Sequence, residues 1–319
     1  MVGCPAVKRV FQALPFLALL AFPALEISAH AITRARVPPM QDWRAAASFV
    51  RGHLQPRDLI SAAPDWTDPL LRQVLGDRID LAMAGRSDSA GYERLWALSI
   101  RGARPREAPP GPPALERRFG RVTVQRWQLA PSPVLYSPID HIENAEVSMV
   151  ERGRARACHL RRYPAPRGGG LGVGALPPEE RFGCEGFRGV WVAPVVIEDL
   201  DLQPRYCVLE PPSGPEPVRV AFADVPLGDE IVLYGGLYYE HERMREGGPV
   251  LARVLVDGRE LGHMLHRDGD GWKRLVVPTA GGRGEVAIEV SAPNPDRRSF
   301  CWSASVRARP DSLRPSRPR

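Results

Sequence analysis

Apolar and polar positions divide this chain into three textures. Residues 10–25 are almost continuously apolar, broken by Gln12 and by the prolines Pro15 and Pro23. Over residues 41–129 the spacing switches between helical and strand-like. Trp43, Ala46, Ala47, Phe49, Val50 and Leu54 recur at helical spacing, with Asp42 as an N-cap and Pro56 as a stop, which predicts a helix. The run Asp58-Leu59-Ile60-Ser61-Ala62-Ala63 is short, apolar and bounded by turn formers, as expected of a buried parallel strand. Thr67 as cap, Pro69 in the first turn and Gly76 at the close frame a second helix through Leu75. A further strand is expected over residues 95–100. The strictly alternating residues 121–129 are expected to form an edge or end strand, after a Pro/Gly loop at residues 108–113.

From about Glu143 the pattern becomes that of short strands. Alternating or compact apolar runs occupy residues 145–150, 189–194, 206–209, 218–222, 230–234, 250–256, 273–277, 285–290 and 299–307. Turn signals, notably Asp257-Gly258 and Asp270-Gly271, separate several of them. Strands at this near-regular spacing argue for an antiparallel sandwich. The predicted fold class is a small α/β domain over residues 40–130 followed by an all-β antiparallel jelly-roll sandwich over residues 143–309. Residues 310–319, rich in Arg, Pro and Ser, are expected to be a disordered tail.

The first texture changes the compartment. Lys8 and Arg9 precede the apolar run, and Ala29-His30-Ala31 supplies small residues at signal-peptidase spacing. Residues 1–31 therefore read as a signal peptide or a membrane anchor. The protein is placed outside the cytoplasm, in the periplasm or at the cell surface, either secreted or held by this segment. A net charge of +6 comes from arginines spread along the chain, with dense stretches only at residues 152–162 and 307–319, so no nucleic-acid partner is expected. Beyond the N-terminal segment four cysteines remain, Cys158, Cys184, Cys207 and Cys301. An even number in an exported chain suggests two disulfides, and sequence alone permits three pairings. If the terminal strands of a jelly roll lie side by side, Cys207 pairs with Cys301 and leaves Cys158 for Cys184.

Three segments of the first third carry a resemblance: Asp42-Trp43-Arg44-Ala45-Ala46-Ala47, Pro56-Arg57-Asp58 before a strand, and Arg118-Phe119-Gly120-Arg121-Val122-Thr123-Val124. They resemble the extracytoplasmic C-terminal domain of bacterial mannosyltransferase-like membrane glycosyltransferases, which use polyprenyl-phosphate sugars. Such enzymes carry their catalytic acid between early membrane helices, and no such bundle is present. The resemblance therefore implies an accessory domain without transferase activity, or a piece of a longer enzyme, with a membrane-embedded glycosyltransferase as partner. The C-terminal part looks like a jelly-roll sandwich of the carbohydrate-binding type.

Candidate chemistry concentrates in the sandwich. Gly168-Gly169-Gly170-Leu171-Gly172-Val173-Gly174 is followed by Ala175-Leu176-Pro177-Pro178, which cannot open the helix that a phosphate-binding loop needs. Leu237-Tyr238-Tyr239-Glu240-His241-Glu242-Arg243 is the densest polar-aromatic run. On a strand, Glu240 and Glu242 share one side about 7 Å apart, whereas glycosidase carboxylates face each other across a cleft. Asp268-Gly269-Asp270-Gly271-Trp272 lacks the oxygen positions of a calcium loop, and His263 and His266 fall on opposite faces of a strand. Trp191, Trp272 and Trp302 suit either a core or a sugar platform. The ligand-binding candidates are thus Tyr238, Tyr239, Glu240, His241, Asp270 and Trp272. No catalytic residue, metal or cofactor is predicted. The expected function is an exported, non-catalytic cell-envelope protein whose sandwich binds a glycan or an envelope protein. The alternative is a soluble accessory part or fragment of a membrane glycosyltransferase.

Overall fold

The computed structural model describes residues 19, 22–23, 25–34, 37–130, 132–151, 153–164, 176–184 and 190–309. The glycine run at 168–174 and the tail at 310–319 lie outside them. Residues 25–34 are helical and exposed. Among the described residues no helix is long and apolar enough to cross a membrane.

Helix α1 (Met40–Arg51) buries Trp43, Ala46, Ala47 and Val50, the stripe that i, i+3, i+4, i+7 spacing creates. It starts after Pro39, three residues earlier than expected, so Asp42 is not the cap. Its carboxylate instead accepts the Arg121 N–H at 2.9 Å. Gly120, at φ +56°, leaves no room for a Cβ beside that carboxylate. Glycine there lets the turn close against the helix start.

Strand β1 (Asp58–Ala63) is buried throughout and runs parallel to β2 (Arg94–Ser99). Between them lie α2 (Asp68–Leu75) and α3 (Leu81–Ala84), the latter capped by Asp80 through the Met83 N–H at 2.7 Å. Thr67 precedes α2, yet its hydroxyl donates to the Pro64 carbonyl rather than capping the helix. The alternating strand β4 (Val122–Gln128) is not at the edge, as its pattern had suggested. It sits between β2 and β3 (Leu115–Phe119) in the order β1-β2-β4-β3. Strand β3, whose middle residues are exposed, takes the edge. Its polar sequence gives no alternation to read.

The remaining strands are β5 (Val134–Tyr136), β6 (Glu146–Glu151), β7 (Arg154–Arg162), β8 (Glu180–Cys184), β9 (Trp191–Glu198), β10 (Pro204–Leu209), β11 (Val218–Pro226), β12 (Glu230–Leu237), β13 (Val250–Val256), β14 (Arg259–His266), β15 (Lys273–Pro278), β16 (Arg283–Ser291) and β17 (Phe300–Arg307). They form one hydrogen-bonded path, β14-β13-β16-β11-β6-β7-β8-β9-β10-β17-β12-β15, with β5 added to β17. Every pairing on it is antiparallel. The path folds over itself as a near-closed sandwich. One sheet (β14-β13-β16-β11-β6) faces the other (β9-β10-β17-β12-β15), and Val218, Val220, Phe222, Val254 and Ile288 meet Val208, Leu233, Phe300 and Trp302 in a common core. The fold is thus a small α/β part followed by an antiparallel sandwich.

Two disulfides link neighbouring strands. Cys158 and Cys184 are directly opposed on β7 and β8, and Cys207 and Cys301 join β10 to β17. Strand β10 is not the first strand of the sandwich, since β5 to β9 precede it. The bridge follows from lateral adjacency of β10 and β17, not from a meeting of first and last strands.

Candidate functional site

On β10 and β17 successive side chains alternate between the two faces. Val208 and Trp302 point into the core between the sheets, so Cys207, Leu209 and Cys301 point outward. There they form a separate small cluster with Ile197, all at 2% exposure or less, covered by the half-buried side chains of Trp191, Val195, Tyr238 and Trp272. The sequence candidates Tyr238 and Trp272 are therefore brought together over the Cys207–Cys301 bridge, and Trp191 joins them. Gly236 lets the Trp272 ring lie against the sheet, because a Cβ there would meet the ring carbons at 2.8 Å.

The segment after β12 is not a strand. Helix α4 (Tyr239–Met244) follows Tyr238 directly, so Glu240 and Glu242 project in different directions. Tyr238 and Tyr239 pack edge to face at 4.9 Å between ring centroids. The Tyr239 hydroxyl donates to Glu240 Oε1 at 2.9 Å, and this bond, more than any other cause, pushes the phenol up to about 12. His241 is buried against Tyr238, with ring centroids 5.6 Å apart. Burial, with the positive Arg298 and Arg297 nearby, holds its pKa below the usual histidine range. Its position serves the helix more directly than the open surface.

Asp270 lies in the turn between β14 and β15. It accepts from the Arg267 N–H at 3.0 Å and from Lys273 Nζ at 2.9 Å. The lysine bond is the main reason its pKa is lowered. Its carboxylate closes its own turn, while the neighbouring Trp272 reaches the aromatic cluster. His263 is exposed and His266 fully buried, on opposite faces of β14. His266 Nε2 approaches Glu242 Oε1 at 3.4 Å, and that oxygen also accepts the Gly271 N–H at 2.6 Å. Glu242 thus holds the turn from which Trp272 projects. Trp302 belongs to the core.

A second feature draws on residues that no motif marks. Loop residues Gly85 to Asp88 dock on the outer face of β10, β12 and β17. The Tyr206 N–H donates to the Gly85 carbonyl, Arg205 Nη1 to the Arg86 carbonyl and the Tyr234 hydroxyl to Asp88. Trp272 Nε1 donates to Ser87 Oγ at 3.1 Å. Beside this contact lies a cleft of about 840 Å3. Its walls are the C-terminal end of β1, the segment after it with Asp65 and Trp66, Arg106 and Glu107, and the β9–β10 turn from Asp201 to Arg205. Trp66 is 63% exposed there. The signal that could have pointed to it is positional: ligands of open α/β sheets gather outside the carboxyl ends of parallel strands, and Pro64-Asp65-Trp66 is such a segment.

No family model matches the chain, and no curated protein does. Among solved structures, one similar to it is the CBM51-2 and INT region of Clostridium perfringens ZmpB, in complex with GlcNAc, at 16% identity over 36% of this chain and 25% of that chain (TM-score 0.30). Others are the CBM51 of Clostridium perfringens GH95 in complex with methyl-galactose, at 12% identity over 36% of this chain and 79% of that chain (TM-score 0.26), and the mannan-recognising module TmCBM27, at 12% identity over 57% and 97% (TM-score 0.26). The chain spans about a quarter of the ZmpB chains it matches. With TM-scores of 0.30 and below, the ligand chemistry of this chain has to be read from its own residues.

Proposed function

We propose that the chain is an extracytoplasmic, glycan-binding protein, secreted or held by its N-terminal segment, with residues 40–130 and 143–309 as its two units. The observation that carries this reading is the convergence of Trp191, Tyr238 and Trp272, each partly buried, over the floor of Ile197, Cys207, Leu209 and Cys301. Trp191 and Tyr238, set over a covalently tied floor and packed beside Trp272, offer ring surface at little entropic cost, and sugar rings stack on such surfaces through their C–H groups. A stacked ring is worth about 1–3 kcal/mol where bases are bound. Tyr239, packed edge to face on Tyr238, adds a hydroxyl beside it. The two disulfides suit an oxidising compartment. Binding of the whole chain to a glycan array tests the reading. Trp191→Ala and Tyr238→Ala should each weaken capture about tenfold, and an array without a positive glycan would overturn it.

A second reading, an accessory part of a membrane glycosyltransferase, is favoured by the N-terminal helical residues. Leu25, Ile27 and Ile32 stand 54–70% exposed, an apolar surface suited to a bilayer or to membrane helices. A membrane glycosyltransferase recovered with the full chain from solubilised membranes would support it. A chain found entirely outside the membrane fraction would not.

A further inference from the structure

We infer that the cleft between the α/β part and the sandwich is a second saccharide site, continuous with the aromatic surface, and that the ligand is an uncharged oligosaccharide long enough to occupy both. The inference rests on the glycan-binding reading above. Continuity comes from shared residues. Arg205 lines the cleft and lies over the Trp272 ring at 5.5 Å, and Ser87 lines the cleft and accepts the Trp272 N–H.

The cleft's volume, about 840 Å3, falls within the roughly 300–1,000 Å3 of small-molecule sites. At its wall Trp66 offers an exposed ring, with Arg101 5.9 Å from its centroid. Trp66 thus presents a large aromatic surface to the cleft.

Charge selects the class of sugar. Each of the four arginines lining the cleft already has a carboxylate: Arg72 with Asp68 at 2.5 Å, Arg86 with Glu107, Arg106 with Asp65 at 2.7 Å, and Arg205 with Asp199 at 2.7 Å. A phosphate or a uronate would meet guanidinium groups whose charge these partners already offset. It would also meet Asp201, which lines the same space. An uncharged diol has no such cost. Paired guanidinium and carboxylate groups keep N–H donors and oxygen lone pairs in fixed planes, the geometry that vicinal hydroxyls accept bidentately.

Titration calorimetry on the full chain tests this, with glucose, mannose, galactose and N-acetylglucosamine oligomers of one, two and six units and a polyuronate hexamer as probes. Trp66→Ala, at an exposed position, and Arg106→Ala, at an exposed pair, should each weaken the preferred neutral hexamer about tenfold and leave its monomer unchanged. The polyuronate should bind at least tenfold more weakly than the neutral hexamer. Trp191→Ala should weaken every length. If Trp191→Ala weakens binding while both cleft variants leave the hexamer untouched, or if the polyuronate binds best, the glycan reading stands and the cleft inference falls. If no oligomer binds, both fall.

Discussion

The two parts of this molecule secure themselves by different means. The α/β part packs helices α1 and α2 on a small sheet around Trp43, Leu59, Leu71, Trp96 and Leu98. Its one deeply buried charge is neutralised on the spot. Asp58 accepts from Arg94 Nε at 2.6 Å, from Trp96 Nε1 at 2.9 Å and from the Gln55 N–H at 2.8 Å. The sandwich instead has strands that bury little. Cys158 is the single buried side chain of β7, and it is disulfide-bonded. The other bridge lies outside the main core, under the aromatic surface. One covalent link therefore stands where burial is thin, on β7, and the other ties the buried floor under the surface proposed for ligand.

Removing the bridges is the strongest way to break that contrast. Cys207→Ala with Cys301→Ala opens a loop with a sequence separation of 94, for which the chain-entropy relation gives about 4.7 kcal/mol at 25 °C. The Cys158–Cys184 loop, with a separation of 26, gives about 3.5 kcal/mol by the same relation. Denaturant titrations of the two double variants should rank in this order, with the loss confined to the sandwich. Equal losses, or a loss shared by the α/β part, would show that the bridges do more than constrain the unfolded chain.

In the α/β part the corresponding weak point is polar. Asp58→Ala leaves the Arg94 guanidinium and the Trp96 indole without their buried acceptor, and should cost about 3 kcal/mol, the low end for breaking a buried ion pair. Arg94→Met on top of it should recover part of the loss, because an apolar stem replaces an unpaired charge. A double variant no better than the single one would place the cost elsewhere than in the charge.

The same contrast decides what the sequence made legible. Strands such as β11 and β16 carry inward residues that meet the facing sheet, so their apolar pattern announced them. Strand β7 did not, because eight of its nine residues are exposed and the stretch reads as a basic run. Residues 239–244 read as strand from sequence because their aromatic and charged side chains have no clear period; burial of His241 and Glu242 on one side of α4 is visible only once the helix is placed. At the aromatic surface, Tyr238 and Trp272 were legible as residue types, but their meeting over Cys207 and Cys301 depends on the pairing of β10, β17 and β12. The cleft was illegible for a further reason. Its walls come from segments far apart in sequence, each made of ordinary Asp, Arg and Ser residues.

The joint between the parts offers a finer test. At Gly85 a Cβ would fall 2.4 Å from the Tyr206 backbone nitrogen and 2.7 Å from its Cβ. Neither atom can yield without moving β10. Gly85→Ala should cost about 2 kcal/mol, in the range of overpacked sites, and should separate unfolding of the two parts in a calorimetric scan. A variant that unfolds as the parent does would mean that the loop shifts freely on the sandwich.

The smallest effect contrasts two buried carboxylates. Asp58 has an arginine; Glu210, at the end of β10 and fully buried, has the Trp302 indole N–H at 2.5 Å. Burial is the main cause that raises the Glu210 pKa well above the ordinary glutamate value, and the negative charge of Glu289 adds to it. The sign follows from proton counting. Above about pH 4.3, the ordinary glutamate value, the unfolded chain has released this proton while the folded chain still holds it. Rising pH therefore favours unfolding until the folded carboxyl also ionises. Within that window the slope from this one group approaches about 1.4 kcal/mol per pH unit. Glu210→Gln keeps a carbonyl oxygen for the Trp302 N–H and removes the titration. Stability curves of parent and variant should lie together in acid and diverge as pH rises, with the variant the more stable. Curves that stay parallel across the range would mean that Glu210 has the same proton affinity folded as unfolded, and that the sandwich, like the α/β part, supplies its buried carboxylate with compensating charge or water.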